Sequence, residues 1–345
     1  MKLRYLLFYL MLVTMWGCIE QIEFPVEQSK RIVVVDGTFS DLEEEQVIKL
    51  SFSIDLNLQI FEPVSGASVR VEEEGGTFIQ FNETEGGFYT AMAQAIPGKK
   101  YRLNAILPDG NRVTSRFQSV KPSFPVNNVE IVDTIANFIN ESGKRITLRS
   151  IECYAQSQGP APDEDLFLRY DLETVWQLTE IPCSPFHTPK SCYIYDTDIA
   201  FDINLIELVP GTGDLDFETF IFRKNIDEAF GEVYSMKVDL LSYNEEEYRY
   251  WETLQNLFEQ SGSITDILPA RLPSLIETEG NDEVLGYFAV VGKTSYVQFI
   301  RNANFATHVN PYCGVPGFPP FPFPRQCCNC LAEPGGSVVK PDYWP

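Results

Sequence analysis

Residues 47–54, VIKLSFSI, place an apolar side chain at every second position, and the pattern recurs in short runs along most of the chain. An extended backbone sends successive side chains to opposite faces, so a period of two buries one face and wets the other. RIVVVDGTF, from Arg31, reads as a buried strand followed by a turn, and ASVRVEEEGG sets Ala67, Val69 and Val71 on one face before Gly75-Gly76. Pro108-Asp109-Gly110-Asn111 is a turn between two alternating runs, built from the residues that turns favour. Short strands at this spacing predict a β-sandwich of roughly a hundred residues. The expected class is mainly β, with a sandwich over 31–122.

The stretch from PVSGASVRV to GGFYTAMAQAIPGKKYRLNA resembles small immunoglobulin-like or carboxypeptidase-regulatory-like modules. That resemblance implies an immunoglobulin-like sandwich and carries no chemistry. Lys121-Pro122-Ser123-Phe124-Pro125 is the expected boundary to a second β-rich domain over 123–312, with strands in RITLRSIECYA, DLFLRYDLETVW, CYIYDTDIAFDINLIEL, VYSMKVDLLSY and VLGYFAVVG. One helix stands out at about 244–260. Asn244 is its expected cap, Glu247 completes a capping box and Gly262 ends it. Tyr248, Trp251, Leu254, Leu257 and Phe258 share one face, which reads as core.

The chain opens MKLRYLLFYLMLVTMWGC: a positive start at Lys2 and Arg4, an apolar run too short to span a bilayer comfortably, then Gly17-Cys18. This reads as a signal peptide over 1–17. It resembles a lipobox, with Trp16 where a small residue is usual, and implies lipidation at Cys18 and a tether over 18–30. Glu20 and Glu23 mildly resemble a surface-export signal. The expected location is the outer membrane, lipid-anchored, facing the extracellular side, with the acyl chains as the membrane contact.

The chain holds 26 basic and 49 acidic residues; removing Lys2 and Arg4 leaves 24 against 49, a net charge of −25. Such a surface repels phosphates, so no nucleic-acid partner is expected. Beyond Cys18 there are seven cysteines, Cys153, Cys183, Cys192, Cys313, Cys327, Cys328 and Cys330. In an exported chain these are disulfide candidates, and the odd number leaves at least one free or paired to another molecule. Cys183 and Cys192 are close in sequence and are expected to pair. Cys313 is expected to bond one cysteine of the 327–330 cluster. Adjacent Cys327 and Cys328 should diverge to different partners such as Cys313 and Cys153, leaving Cys330 free or for another thiol. The 313–345 segment is thus expected to be a disulfide-rich clasp whose Phe321, Phe323, Tyr343 and Trp344 pack on the second domain. Zinc fits it poorly, without paired Cys-x-x-Cys motifs.

No nucleophile elbow, P-loop, dinucleotide turn or metalloprotease motif occurs in the sequence. His187 and His308 are the only histidines, and His187 reads as a surface loop position. Asp214, Asp216 and Glu218 alternate as oxygen ligands for calcium would, without the glycine and distal glutamate of an EF-hand loop. Solvated acidic surface is the plainer reading of these three and of Asp163-Glu164-Asp165, and no metal or cofactor is expected. Asp133-Thr134-Ile135 resembles an O-glycosylation signal of exported Bacteroidota proteins, which makes Thr134 a modification candidate.

In order, the lipobox, RIVVVDGTF, PVSGASVRV, YRYWETL, EGNDEVLGYFAVVG and the terminal CCNCLAEPGGSVVKPDYW resemble Bacteroidota outer-membrane lipoproteins of a domain-of-unknown-function family, often encoded beside TonB-dependent receptors. The resemblance implies a surface-exposed, non-enzymatic accessory or ligand-binding partner of such a transporter, an outer-membrane β-barrel. It brings no catalytic residues. The alternatives are a lipid-anchored hydrolase acting on glycan or peptide, and a purely structural or adhesive surface protein.

Overall fold

A computed structural model describes residues 31–53, 61–139, 142–196, 203–260, 274–279, 283–305, 307–314 and 324–345. Signal peptide, Cys18 and tether lie outside the described residues, as do Gly262, Phe321 and Phe323. The first unit contains β1 (Val33–Ser40), β2 (Glu44–Phe52), β3 (Glu62–Pro63), β4 (Ser68–Glu73), β5 (Phe78–Glu85), β6 (Phe88–Ala93), β7 (Lys100–Ile106), β8 (Arg112–Ser115) and β9 (Gln118–Ser119). The second contains β10 (Asn128–Ile139), β11 (Arg145–Pro160), β12 (Leu166–Thr179), β13 (Ser191–Tyr195), β14 (Asn204–Leu208), β15 (Asp214–Asn225) and β16 (Val233–Tyr243). Then come the helix α1 (Glu245–Gln260), β17 (Ile276–Thr278), β18 (Val284–Arg301) and β19 (Gly336–Ser337). The protein is mainly β with one α-helix among the described residues.

One sheet runs β17-β8-β7-β4-β5-β6-β2-β1-β18-β16-β12-β13-β19. Because β5 pairs with β4 on one side and β6 on the other, the first half of this path folds back on itself as a sandwich. Its inner faces meet through Val35, Phe39, Ile48, Leu50 and Tyr89 on one side and Val69, Val71, Leu103, Ala105 and Val113 on the other. The alternation in the sequence puts these residues inward. β10, β11 and β15 form a separate antiparallel sheet. It packs through Val129, Ile151, Cys153, Ala155, Ile221 and Phe222 into a second core with Leu168, Leu178, Tyr234, Met236 and Val238.

β18 belongs to both units. Its first eight residues pair in parallel with β1, Val33 opposite Val284 through Ser40 opposite Val291, and Gly292 to Arg301 pair antiparallel with β16. A strand of 18 residues spans roughly 60 Å. At the changeover the linker crosses it so closely that a Cβ on Gly292 would collide with the Lys121 carbonyl and the Ser123 amide. Gly286 adopts φ +100° and abuts the Val35 carbonyl, a close approach that a side chain would block. Lys293 follows. Its amide donates to Asp41 (2.8 Å), and its ammonium reaches Glu44 and Asp239, each at 2.9 Å. Burial alone would lower the Lys293 amine, but Asp239 and Glu44 raise it above its ordinary value.

The division at 122/123 therefore does not separate two self-contained units. The core of the first includes Ile276, Val284, Phe288 and Val290, which arrive from the far end of the chain. The remaining face of β18 carries α1: Tyr248 and Tyr250 pack with Tyr287, Ala289, Val291, Leu241 and Tyr243, and Trp251 and Leu254 flank them. Tyr250 was not on the helix face read from the sequence. Asn244 does not complete a capping box either. Its amide donates to the Ser119 and Val290 carbonyls (3.1 and 3.3 Å) and pins the start of the helix to β9 and β18.

Burial of a large aliphatic or aromatic side chain contributes about 1.5–3 kcal/mol. Four such residues from β17 and β18 thus weigh as much as the entire stability of an ordinary domain, about 5–15 kcal/mol. Residues 31–122 expressed alone are expected to show no cooperative thermal transition by circular dichroism. A chain in which 274–301 are joined to that fragment should regain one.

Candidate functional site

Where α1 begins against the sandwich, a pocket of about 240 Å³ is lined by Arg116, Gln118, Glu246, Glu247, Ser274, Leu275 and Glu277. The first turn of α1 supplies two carboxylates, β17 supplies Glu277, and the segment between β8 and β9 supplies Arg116. The Arg116 guanidinium sits 2.8 Å from Glu246 and 3.5 Å from Glu277 at the exposed rim. Gln118 is not available to a ligand. Its amide donates to the Phe288 carbonyl (2.6 Å) and its oxygen accepts from the Val290 amide (2.9 Å).

Glu247 is the anomaly. It is 3 % exposed, and its Oε2 has no hydrogen-bond partner. Burial pushes its carboxyl up to about 7, against a lowering hydrogen bond from its own amide. An unpaired carboxylate held this far from water is costly, so the group keeps its proton toward neutrality. The pocket offers a buried acid that can donate or accept one hydrogen bond, beside a rim of two further carboxylates and one guanidinium.

A second, more open groove of about 330 Å³ lies on β12 and β16 beside the C-terminal tail, with Asp171, Glu173, Asp196, Lys237 and Asp239 on its walls. Its acids are largely answered. Asp171 meets Arg169 at 3.3 Å, Asp239 meets Lys293 at 2.9 Å, Asp196 pairs with Lys224, and Glu173 accepts from the Tyr343 hydroxyl at 2.9 Å. Beneath α1, Arg169 stacks on Trp251 at 3.7 Å from the ring centroid and sits against the Tyr243 hydroxyl, while its Nε and the Trp251 Nε1 lack partners. The Glu247 pocket is the better-built site, because its unpartnered carboxyl lines a cavity.

Two disulfides tie the tail to the second unit, Cys183–Cys328 and Cys192–Cys330, and a third, Cys313–Cys327, closes a loop within the tail. Cys183 and Cys192 do not pair with each other. Cys192 lies opposite Leu178 in the β12–β13 ladder and turns into the core, whereas Cys183 lies in the loop beyond β12 and meets the tail there. Cys327 and Cys328 diverge, to Cys313 and to Cys183 rather than Cys153, and Cys330 is not free. Cys153 is the unpaired thiol, buried, its ionisation pushed up to about 12 by that burial.

Glu180 seats the clasp. Its buried carboxylate accepts from the Cys330 amide (2.9 Å), the Lys190 amide (3.2 Å) and His187 Nε2 (3.0 Å). Burial alone would raise this carboxyl, but those donors hold it below its usual range. His187 lies in the loop between β12 and β13, half-buried, and acts there as a strut. Trp344 is 8 % exposed and meets Tyr193 and Phe299 edge-on at 5.1 and 5.4 Å.

Asp214, Asp216 and Glu218 are strung along the exposed face of β15, and Glu218 accepts from Gln156 (3.0 Å). The structure does not gather them into a calcium site, and no group of three or more His, Cys, Asp or Glu among the described residues can hold a metal ion. Thr134 is half-buried on β10, and its neighbour Asp133 pairs with Arg149. Glu180 and Glu247 carried no signal in the sequence. Glu247 read only as a helix-start residue, since nothing local reveals that β9 and β17 close over it.

The domain-of-unknown-function family DUF4249 matches residues 19–296. The chain belongs to DUF4249. No curated protein and no solved structure matches it. The stretch that matches DUF4249 includes β17, the half of β18 that closes the sandwich and the whole Glu247 pocket, and it stops within β18, before the clasp.

Two outcomes follow. Glu247 has a folded value of about 7, above its ordinary 4.5, so the folded state gains from its protonation. That stability is complete below the unfolded value and is lost as pH rises through 7, by up to ~3 kcal/mol. Glu247→Gln should flatten the fall in urea midpoint between pH 5 and pH 8 and raise stability at pH 8. Non-reducing peptide mapping should recover the three observed bridges, with Cys153 alkylated only after denaturation. Cys192→Ala with Cys330→Ala should cost roughly 2–4 kcal/mol.

Proposed function

We propose that this DUF4249 protein is a lipid-anchored protein of the outer-membrane surface that works without catalysis as the binding partner of a TonB-dependent transporter. The observation that carries the reading is the set of three disulfides, two fastening the tail to the second unit and one closing a loop within the tail. Such bonds persist in oxidising compartments, which agrees with the signal-like start ending at Cys18. No described helix is long and apolar enough to cross a membrane; the attachment in this reading is the acyl group on Cys18. Confinement to a surface raises the effective concentration of such a protein near a membrane partner. The Glu247 pocket supplies a polar recess in which a small ligand can be held on the way to the transporter.

Glu247 also favours a second reading. A carboxyl protonated up to about neutral pH is suited to general-acid work, as a hydrolase of glycan or peptide requires. The two are separated by one set of measurements. On the binding reading, wild-type protein incorporates labelled fatty acid and fractionates with the outer membrane, and Cys18→Ala does neither. Crosslinking in living cells recovers a β-barrel transporter, and deletion of the gene impairs uptake of one nutrient while the envelope stays intact. Turnover of a polysaccharide or peptide by the purified protein, lost in Glu247→Gln, would replace binding with hydrolysis.

A further inference from the structure

The β10–β11–β15 sheet has two margins, and they are built differently. Among the described residues all twelve of β10 register with β11, and no strand pairs with the other side of β10. β15 is the opposite margin. It carries Asp214, Asp216, Glu218, Arg223 and Lys224, the kind of charge that keeps a foreign strand from pairing with an edge. The outer half of β10 has no such guard. Thr134–Ile139 reads TIANFI, without charge, proline or glycine. Ile135 and Ile139 stand four residues apart, hence on one side of the strand, 72 % and 76 % exposed. The nearest acid, Asp133, is neutralised by Arg149.

A row of open backbone donors and acceptors flanked by exposed β-branched side chains is a template for strand addition. We propose that the free margin of β10, from Val132 to Ile139, is a docking strand that receives an extended segment of a different protein as a fourth strand of the sheet. The chemistry of the edge selects that occupant. Backbone amides pair with backbone, and the incoming strand sets aliphatic side chains against Ile135 and Ile139. A second copy is disfavoured, because each chain carries a net charge of −23 and like charges oppose association. The proposal rests on the membrane-partner reading only for where the occupant is found.

The test uses the full-length chain in living cells and in native outer membranes. A photocrosslinking p-benzoylphenylalanine replaces Ile135 or Ile139, with Asp216 on the guarded margin as control. The expected result is one heterologous adduct from the two β10 positions and none from Asp216. Amide exchange of residues 132–139, at alternate positions, should also slow at least tenfold in membranes relative to the purified protein. Ile135→Lys with Ile139→Lys should abolish the protection, and Ile139→Lys alone the adduct from position 135, while both leave the urea midpoint of the purified protein unchanged.

Equal exchange in both settings overturns the proposal. So does an adduct made only of two copies of this chain, an adduct equally strong from Asp216, or a glycan on Thr134 of every copy that occupies the edge. A barrel recovered through other positions, with 132–139 unprotected, removes the docking strand and leaves the proposed function standing. A protected edge whose occupant is not a barrel does the reverse.

Discussion

The parallel pairing of β1 with β18 is the contact on which the rest of the structure depends. It joins residues 33–40 to residues 284–291, so the first sandwich cannot close until the chain has passed through the second unit and returned. Where β18 leaves β1 for β16, Gly292 admits the linker, and Lys293 is shared by Asp41 and Glu44 from one unit and Asp239 from the other. That ammonium is mostly buried between Glu44 and Asp239. Removing either carboxylate would leave charge in a place water reaches poorly, a costlier change than loss of a surface ion pair. α1 then covers the outer side of the same strand. One strand therefore organises both cores and positions the helix whose first turn builds the pocket.

The alternation in VIKLSFSI and ASVRV was enough to give the inward faces of β2 and β4, because side-chain direction in a strand is local. Much of the helix could be read for the same reason. What failed was everything set by distant partners. VLGYFAVVG looked like a strand ending near Gly292, whereas the strand continues through KTSYVQFIR. In that second half polar and apolar residues are mixed without a period of two, so neither a hydrophobic run nor an alternation marks it. The cysteines teach the same lesson. Cys183 and Cys192 are neighbours in sequence, but the turn of β13 into the core sends one thiol inward and leaves the other in the loop. Proximity along the chain predicted a bond that the ladder forbids.

The candidate site was hidden for a related reason. Glu247 has a common role at its position, near the start of a helix, and there it would ordinarily face solvent or reach back to the cap. Its burial follows from Asn244 spending its amide on Ser119 and Val290, which draws the helix start down onto the sandwich. The same descent brings Glu246 to Arg116 and closes a recess between two units that are separate in sequence. A carboxyl at that junction is sensitive to how closely they sit together, and its titration therefore reports on the join as well as on any ligand.

Order of synthesis gives the shared strand a further meaning. Residues 33–40 leave the ribosome early and find their parallel partner only after some 250 more residues have followed, the separation from Val33 to Val284 being 251. Throughout that interval the sandwich lacks one wall and exposes apolar side chains, a state that invites chaperone capture and aggregation. The burden is that nearly the whole chain has to be made before its first sandwich is finished. Sequence changes in 284–291 should therefore show themselves first as poor yield of folded protein, well before they alter anything its surface does.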